Sequence, residues 1–236
     1  MSIIALVPAR GGSKAIPRKN AAPLGGRPLL AYTADAAAGS RAINRRLIST
    51  DDPALAALGR SLGLEAPFLR PSAIAGDDTP MIAVIAHALE WLEANGTGPI
   101  EAIVLLQPTS PFRTAQHIDE AVALFQAREA DSVVSVVAVP HQFTPTSLMR
   151  MEDGRVTPYL AATPQSYLRQ KKERLWARNG PAVLVLRPEI VRAGMLYTDR
   201  SFGYEMSRED SLDIDGPDDL RLAELLLADR ERRNAP

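Results

Sequence analysis

The sequence predicts an α/β fold of three layers (α/β/α), a mostly parallel sheet with helices on both faces. Three observations predict it. Short apolar runs at residues 3–7, 46–50, 102–106, 132–139 and 182–186 read as strands, and the unbroken ones as strands buried on both faces. Stretches with a 3.6-residue apolar period fall between most of them. Strand and helix patterns alternating at this spacing are the pattern of parallel strands joined by crossover helices.

Taken in order, residues 3–7 form a strand stopped by Pro8, and Arg10-Gly11-Gly12-Ser13 is a turn. A helix follows over 28–38, a short strand over 46–50, and a helix over 53–62 with Leu55, Leu58 and Leu62. Asp78-Thr79 can cap a helix whose apolar positions are 81, 82, 85, 88, 89 and 92. Residues 102–106 make a central strand ended by Gln107-Pro108, 115–128 a helix and 132–139 another strand. From 140 to 178 the rhythm breaks, with Pro145, Pro158 and Pro164, a turn at Asp153-Gly154 and a basic run. That stretch reads as an insertion within a single domain spanning 1–236, expected to serve as a dimer contact and a substrate lid. Residues 182–186 resume the sheet, 218–230 form a closing helix and 230–236 a frayed tail.

The 236 residues suit one domain with a full core. The chain has no cysteine, which excludes disulfides, thiolate metal sites and thiol catalysis. A formal net charge of −1 argues against a nucleic-acid partner. The apolar runs fall far short of the roughly 20 residues of a membrane span, and no signal pattern opens the chain. The expectation is a cytoplasmic protein with no membrane or nucleic-acid partner.

In open α/β sheets ligands sit at the carboxyl ends of the strands, so the residues following each strand matter most. After the first strand, Gly11, Gly12 and Ser13 let backbone N–H groups approach an anion. Arg10, Lys14, Arg18 and Lys19 add four positive charges with no acid before Asn20. This suits a polyphosphate, although the loop is neither a Walker A loop nor a dinucleotide fingerprint. After the second strand comes Ser49-Thr50-Asp51-Asp52, and after the third Gln107-Pro108-Thr109-Ser110-Pro111. The latter could read a base or a sugar, or be a simple Ser/Thr-Pro turn. Asp213 and Asp215, spaced i, i+2, face one side of an extended segment and can hold Mg²⁺. Asp215-Gly216-Pro217 is equally ordinary helix-capping chemistry. The basic run Arg169-Gln170-Lys171-Lys172-Glu173-Arg174 with Arg178 is a solvated face or a clamp for phosphate or carboxylate. His87, His117 and His141 have no ligand spacing and are assigned to no site.

These strings resemble the acylneuraminate cytidylyltransferase family, the CMP-sialic acid synthetases and their relatives. The resemblance rests on Val7-Pro8-Ala9-Arg10-Gly11-Gly12-Ser13-Lys14, Ile16-Pro17-Arg18-Lys19-Asn20, Phe68-Leu69-Arg70-Pro71, Leu105-Leu106-Gln107-Pro108-Thr109-Ser110-Pro111, Arg169-Gln170 with Asn179-Gly180, and Ser211-Leu212-Asp213-Ile214-Asp215. They run in family order over nearly the whole chain. The resemblance implies a Rossmann-like nucleotidyltransferase fold and a Mg²⁺-dependent reaction in which CTP and a 2-keto-3-deoxy sugar acid give a CMP-sugar and pyrophosphate. It implies that Arg10, Lys14, Asp213 and Asp215 are catalytic, the two aspartates as metal ligands. Ala9, Arg10, Gly11, Gly12, Ser13, Lys14, Asn20 and Arg70 would bind the nucleotide. Gln107, Thr109, Ser110, Arg169, Arg178 and Asn179 would face the sugar acid. Apart from the resemblance, the 140–178 stretch is poorly explained as part of a monomeric core, and a homodimer is expected.

Two departures from the family pattern stand out. Sialic-acid members read Ser-Asp-Thr-Ala-Ser-Ser where this chain has Asp77-Asp78-Thr79-Pro80-Met81-Ile82, and their Tyr-Arg-Pro-Asn-Gly reads Trp176-Ala177-Arg178-Asn179-Gly180 here. These fall on the expected sugar side and point to an acceptor that is a relative of sialic acid, such as legionaminic or pseudaminic acid, or a less related sugar. The alternatives are a 3-deoxy-manno-octulosonate cytidylyltransferase, whose opening loop typically lacks the Lys-x-Ile-Pro-Arg-Lys-Asn run, and a nucleotide-binding paralogue without catalysis.

Overall fold

The computed structural model describes residues 1–160 and 173–234. In β1 (Ser2–Pro8), Ile3, Ala5 and Val7 face one side and Ile4 and Leu6 the other, and all five are buried. A strand with no solvent face requires cover on both sides. On the first side α1 (Leu29–Gly39), α2 (Pro53–Ser61) and α4 (Ala115–Ala127) bring in Leu30, Ala34, Leu55, Ile118, Val122 and Phe125. On the other, α3 (Met81–Ala94) and the short α5 (Pro188–Arg192) supply Ile85, Leu89, Leu92, Ile190 and Val191. The three layers expected from the apolar runs are therefore present.

The sheet contains β4 (Arg45–Ser49), β5 (Ile100–Leu105), β6 (Ser132–Ala138), β10 (Leu184–Leu186) and β11 (Ser201–Glu205) beside β1, in the order β11-β6-β10-β5-β1-β4. β1 runs parallel to β4 and β5, and β6 parallel to β11. The run at 182–186 joins this mostly parallel sheet as an antiparallel member. β10 is antiparallel to both β5 and β6, pairing Leu184 with Leu105 and with Val134. The reason is connectivity: among the described residues no crossover helix lies between β6 and β10. The chain leaves the carboxyl end of β6 and returns down the same strand, first as β9 (Trp176–Arg178), which pairs Arg178 with Val136, and then as β10. Thus the end of the stretch read as an insertion belongs to the central sheet.

The remainder of that stretch contains the two-stranded hairpin of β7 (Met149–Glu152) and β8 (Arg155–Pro158), every residue of which is exposed. A second small hairpin, β2 (Pro23–Leu24) with β3 (Arg27–Pro28), leads into α1. β11 and α5 went unread in the sequence. The first exposes alternate residues without a strong apolar run, and the second is too short for periodicity.

A third cluster positions the site. Ile16 from the first loop, Leu24, Leu29, Phe112, Ile214 and Ala223 of α6 (Pro217–Asn234) pack together. Ile16 anchors the cationic loop and Ile214, between the two aspartates, anchors the acidic one, so both loops share a hydrophobic foundation. Among the described residues no helix is long and apolar enough to cross a membrane.

Candidate active site

The loops after β1, β4 and β5 meet at the carboxyl edge of the sheet around a cleft of about 180 Å³. Arg10, Gly12, Ser13, Lys19 and Asn20 line it from the first loop, Arg70 and Met81 from the second crossover, and Gln107 and Thr109 from the third. Of the residues expected to bind nucleotide or sugar, these seven stand together: Arg10, Gly12, Ser13, Asn20, Arg70, Gln107 and Thr109.

The first two loops are stitched to each other. Ala9 N–H donates to Ser49 O at 3.0 Å and Gly11 N–H to Asp51 Oδ1 at 3.0 Å. Of the three amides expected to approach an anion, that of Gly11 already has a protein acceptor, as does that of Ala9. Gly11 is required for a different reason: a Cβ there would lie 2.9 Å from Asp52 Cβ, and Asp52 caps α2 by accepting from Ala54 N–H and Leu55 N–H. Gly12 has open space where a Cβ would project, which leaves the cleft wall low at that point.

Asn20 is buried and donates from Nδ2 to Arg10 O at 3.0 Å, fixing the base of the loop. Arg70 is buried as well. Its Nε donates to Ser49 Oγ at 3.1 Å and its Nη2 to Ser49 O. Burial pulls the Arg70 guanidinium below the usual arginine value, Asp51 draws it back up, and Arg10 pushes it further down. Arg70 thus stiffens the end of β4 as well as presenting charge to the cleft.

The cations of the first loop are not bare. Arg10 Nη1 and Lys14 Nζ both reach the Asp77 carboxylate, the latter at 2.6 Å. Their hydrogen bonds, that of Lys14 first, hold the Asp77 carboxyl below the ordinary carboxylate range. Lys19 Nζ donates to Ile214 O at 2.8 Å and lies 3.7 Å from Asp215 Oδ1. This one side chain joins the cationic loop to the acidic segment nearly two hundred positions along the chain.

The acidic pair differs from its sequence reading. Ile214 N–H donates to Thr109 O at 2.8 Å, which seats the segment beside the third loop. Asp213 is half-buried, and its Oδ1 is sealed from solvent without a hydrogen-bond partner among the described residues. Desolvation raises its pKa above the usual value, against the Thr109 hydrogen bond, while nearby Asp215 raises it further. The Asp215 side chain is 82% exposed. The two carboxylates therefore do not share one environment, as a plain i, i+2 strand would give. The capping alternative for Asp215 is corrected too: Asp219 Oδ2 accepts from Asp215 N–H at 3.0 Å and from Gly216 N–H at 2.8 Å, so Asp219 caps the start of α6.

A buried carboxylate oxygen with no partner, beside a second, solvated carboxylate, fits a hard divalent cation. Mg²⁺ characteristically takes one or two carboxylates and completes its shell with water and substrate oxygens. Among the described residues no group of three acid or histidine side chains is placed to hold a metal by itself. The donor set therefore suits that open mode and not a closed protein cage.

The chain matches a known family over residues 4–177, well over half its length, under the description Cytidylyltransferase. The chain belongs to the cytidylyltransferase family. It is 34% identical over 223 residues, 94% of this chain and 51% of the relative, to the N-acylneuraminate cytidylyltransferase of Escherichia coli. It is 30% identical over 228 residues, 96% of this chain and 97% of the relative, to the CMP-N,N'-diacetyllegionaminic acid synthase of Legionella pneumophila. The chain thus spans about half the length of the first relative and nearly all of the second. Among solved structures, a CMP:2-keto-3-deoxy-manno-octonic acid synthetase complexed with CTP superposes with a TM-score of 0.72 over 98% of this chain and all of that one, at 13% identity. That likeness shows the shared cytidylyltransferase fold.

Set in that family, the remaining expected residues divide. Ser110 is buried and its Oγ has no partner among the described residues. It lies against Gly180, where a Cβ would sit 3.3 Å from Ser110 Oγ and 3.4 Å from Asp213 Cγ. Gly180, at φ +118°, takes a conformation that favours glycine, and its carbonyl accepts from Gln107 Nε2 at 3.0 Å. Asn179 is buried with its amide already used: Ser135 Oγ donates to its Oδ1 at 2.6 Å and its Nδ2 donates to Ser211 Oγ at 2.9 Å. It pins the β9–β10 turn to β6 and to the segment leading to Asp213. Arg178 sits over the Tyr197 ring and is not a cleft wall. Arg169 lies outside the described residues.

Three contributors were missed. Asp77 appeared only as part of a departure from the family string. Met81 looked like the first core position of α3. Arg113 is given no role by its sequence, yet it is buried and donates from Nη1 to Gln107 O at 3.0 Å and to Ala182 O at 2.9 Å, and from Nη2 to Thr33 Oγ1 at 2.5 Å. No local pattern separates such a clamp from an exposed arginine.

Proposed function

We propose that this protein transfers a cytidylyl group from CTP to a 2-keto-3-deoxy sugar acid, releasing pyrophosphate. The observation that carries the reading is the Lys19 bridge, which puts the polyphosphate-type loop and the carboxylate pair at one site. In the reaction the anomeric hydroxyl oxygen forms a bond to the α-phosphorus, and the bond from that phosphorus to the bridging oxygen breaks. The bonding electrons leave with pyrophosphate, and the hydroxyl proton passes to a base.

The chain's own groups match those demands. Arg10, Lys14 and Lys19 bring positive charge to where the β- and γ-phosphoryl oxygens gather charge as the bond breaks. Asn20 and Arg70 hold the floor on which the nucleoside rests. Gln107, tied to Gly180, and Thr109 face the acceptor side, with Arg113 fixing the backbone beneath them. Asp213 and Asp215 would hold Mg²⁺. When bound, that ion draws charge from the phosphoryl oxygens and orients them for in-line displacement.

The acceptor we favour is a nine-carbon relative of sialic acid of the legionaminic type. Met81 and Ile82 replace two serines of sialic-acid members and Pro80 an alanine, and the Legionella relative is matched along nearly its whole length. We also propose a homodimer in which a second copy covers the β7–β8 hairpin. Met149, Met151 and Val156 on that hairpin are exposed, as are Leu148, Tyr159 and Leu160 beside it. Apolar density of this kind on a small hairpin marks an interface.

The test is pyrophosphate release from each nucleoside triphosphate against N-acetylneuraminate, legionaminic, pseudaminic and 3-deoxy-manno-octulosonic acids, with and without Mg²⁺. CTP with legionaminic acid should be the best pair. No release with any sugar acid would sink the reading, and a preference for N-acetylneuraminate would remove the divergent acceptor.

A further inference from the structure

Asp77 is a charge of the wrong sign for a polyphosphate site. It lies in a turn between the Ser72–Ile74 helical turn and α3, outside regular structure. From there its carboxylate reaches two cations of the first loop at once, Oδ1 to Arg10 Nη1 and Oδ2 to Lys14 Nζ at 2.6 Å. Nothing in the packing demands this residue, since it meets the loop only through its charge and is partly exposed, with 31% of its side chain open to solvent. Lys14 is 85% exposed and has no other ion-pair partner among the described residues, so without Asp77 it would extend freely into solvent. The turn therefore places an anionic group on the same donors that an incoming polyphosphate needs.

We infer that Asp77 is an internal competitor, an anion built into the chain that occupies the Arg10–Lys14 donors in the resting state and is displaced when a polyphosphate binds. The inference rests on the nucleotide reading above. Two anions cannot share two cations without repelling each other, so each polyphosphate must first part Asp77 from the loop. The apparent affinity is lowered by the fraction of molecules in which the loop is already free. A ligand without phosphates does not touch these donors and is unaffected. The arrangement also favours release of the pyrophosphate product, because Asp77 recaptures the cations as the product leaves.

The experiment is calorimetric titration of the full chain with CTP, inorganic pyrophosphate and cytidine in Mg²⁺ buffer, for wild type, Asp77→Asn and Asp78→Asn. Asparagine keeps the shape of Asp77 and removes its charge. Asp78 lies one residue along in the same turn and provides the control for charge at a distance. Breaking two partly solvated ion pairs predicts that Asp77→Asn binds CTP and pyrophosphate about three- to tenfold more tightly, with cytidine unchanged. Asp78→Asn should leave all three affinities near wild type. Equal or weaker polyphosphate binding in Asp77→Asn would overturn the proposal, because the carboxylate would then be orienting the loop and not blocking it. Equal tightening in both variants would overturn it as well, since the contact itself would then be irrelevant. If the wild type binds neither CTP nor pyrophosphate, the nucleotide reading fails and the competitor with it. If the wild type binds both and Asp77→Asn is unchanged, the competitor alone fails.

Discussion

The cleft and the β7–β8 hairpin are built on opposite rules. In the cleft, polar groups are withdrawn from water and nearly all are matched: Asn20 to Arg10 O, Arg70 to Ser49, Arg113 to three acceptors. On the hairpin, apolar side chains face outward, Met151 at 74% exposure and Val156 at 59%. Buried polar groups are costly unless hydrogen-bonded, whereas exposed apolar surface is costly unless covered. The cleft has met its condition within one chain and the hairpin has not. Among the described residues around the cleft, Asp213 Oδ1, Ser110 Oγ and Arg113 Nε remain unmatched, and the carboxylate oxygen is the informative one.

The largest test of that contrast is Asp213→Asn. If the unmatched oxygen is kept for function, the substitution should lower pyrophosphate release about 10²–10³-fold. Removing a desolvated charge should at the same time stabilise the fold by about 1 kcal/mol, a rise in Tm of roughly 2–4 °C. Loss of both activity and stability would show Asp213 to be an ordinary structural residue. The second test attacks the hairpin. Met151→Glu with Val156→Glu should weaken self-association about ten- to a hundredfold by sedimentation while leaving the folded monomer intact. A monomeric wild type at micromolar concentration would break the comparison from that side.

The smallest expected effect concerns His117, at the first turn of α4. Thr114 N–H donates to His117 Nδ1 at 3.1 Å and His117 N–H donates to Thr114 Oγ1 at 3.4 Å, a reciprocal cap that needs a neutral imidazole. Burial lowers its pKa, opposed by Asp210 and Glu120 and assisted by Arg113 and Arg230. The unfolded chain therefore takes up a proton at higher pH than the folded one. The stability tied to this group is complete above about pH 6.5 and is lost as pH falls through that value toward the folded pKa. His117→Gln keeps the capping geometry without the titration, so its stability should fall less than wild type between about pH 7 and 5.5 in urea melts.

Much of the scaffold could be read from the chain because buried strands advertise themselves. Residues 3–7 and 102–106 have no polar position to place in solvent, and the α3 and α4 stripes keep helical period. Strand direction is not written in such runs, so the antiparallel course of β10 is not legible in residues 182–186. Within the site, the cationic loop and the aspartates were visible as types and spacings. Their meeting through Lys19 depends on the hydrophobic cluster of Ile16, Phe112 and Ile214, which sequence spacing does not reveal. The Ser135 and Ser211 partners of Asn179 are not legible in its motif, because a motif position looks the same whatever its amide faces.

Gly11 carries a consequence beyond its own loop. The space a side chain would need is already filled by Asp52, the residue that holds the start of α2. The first loop and α2 are thus back to back across a single shared wall. A disturbance that shifts the backbone at Gly11 is felt at the N-terminus of a helix that has no part in the cleft. Conversely, loosening the Asp52 cap gives the loop room it does not have in the intact protein. The stiffness of the phosphate-facing turn is set from behind, by a helix whose sequence carries no trace of the chemistry.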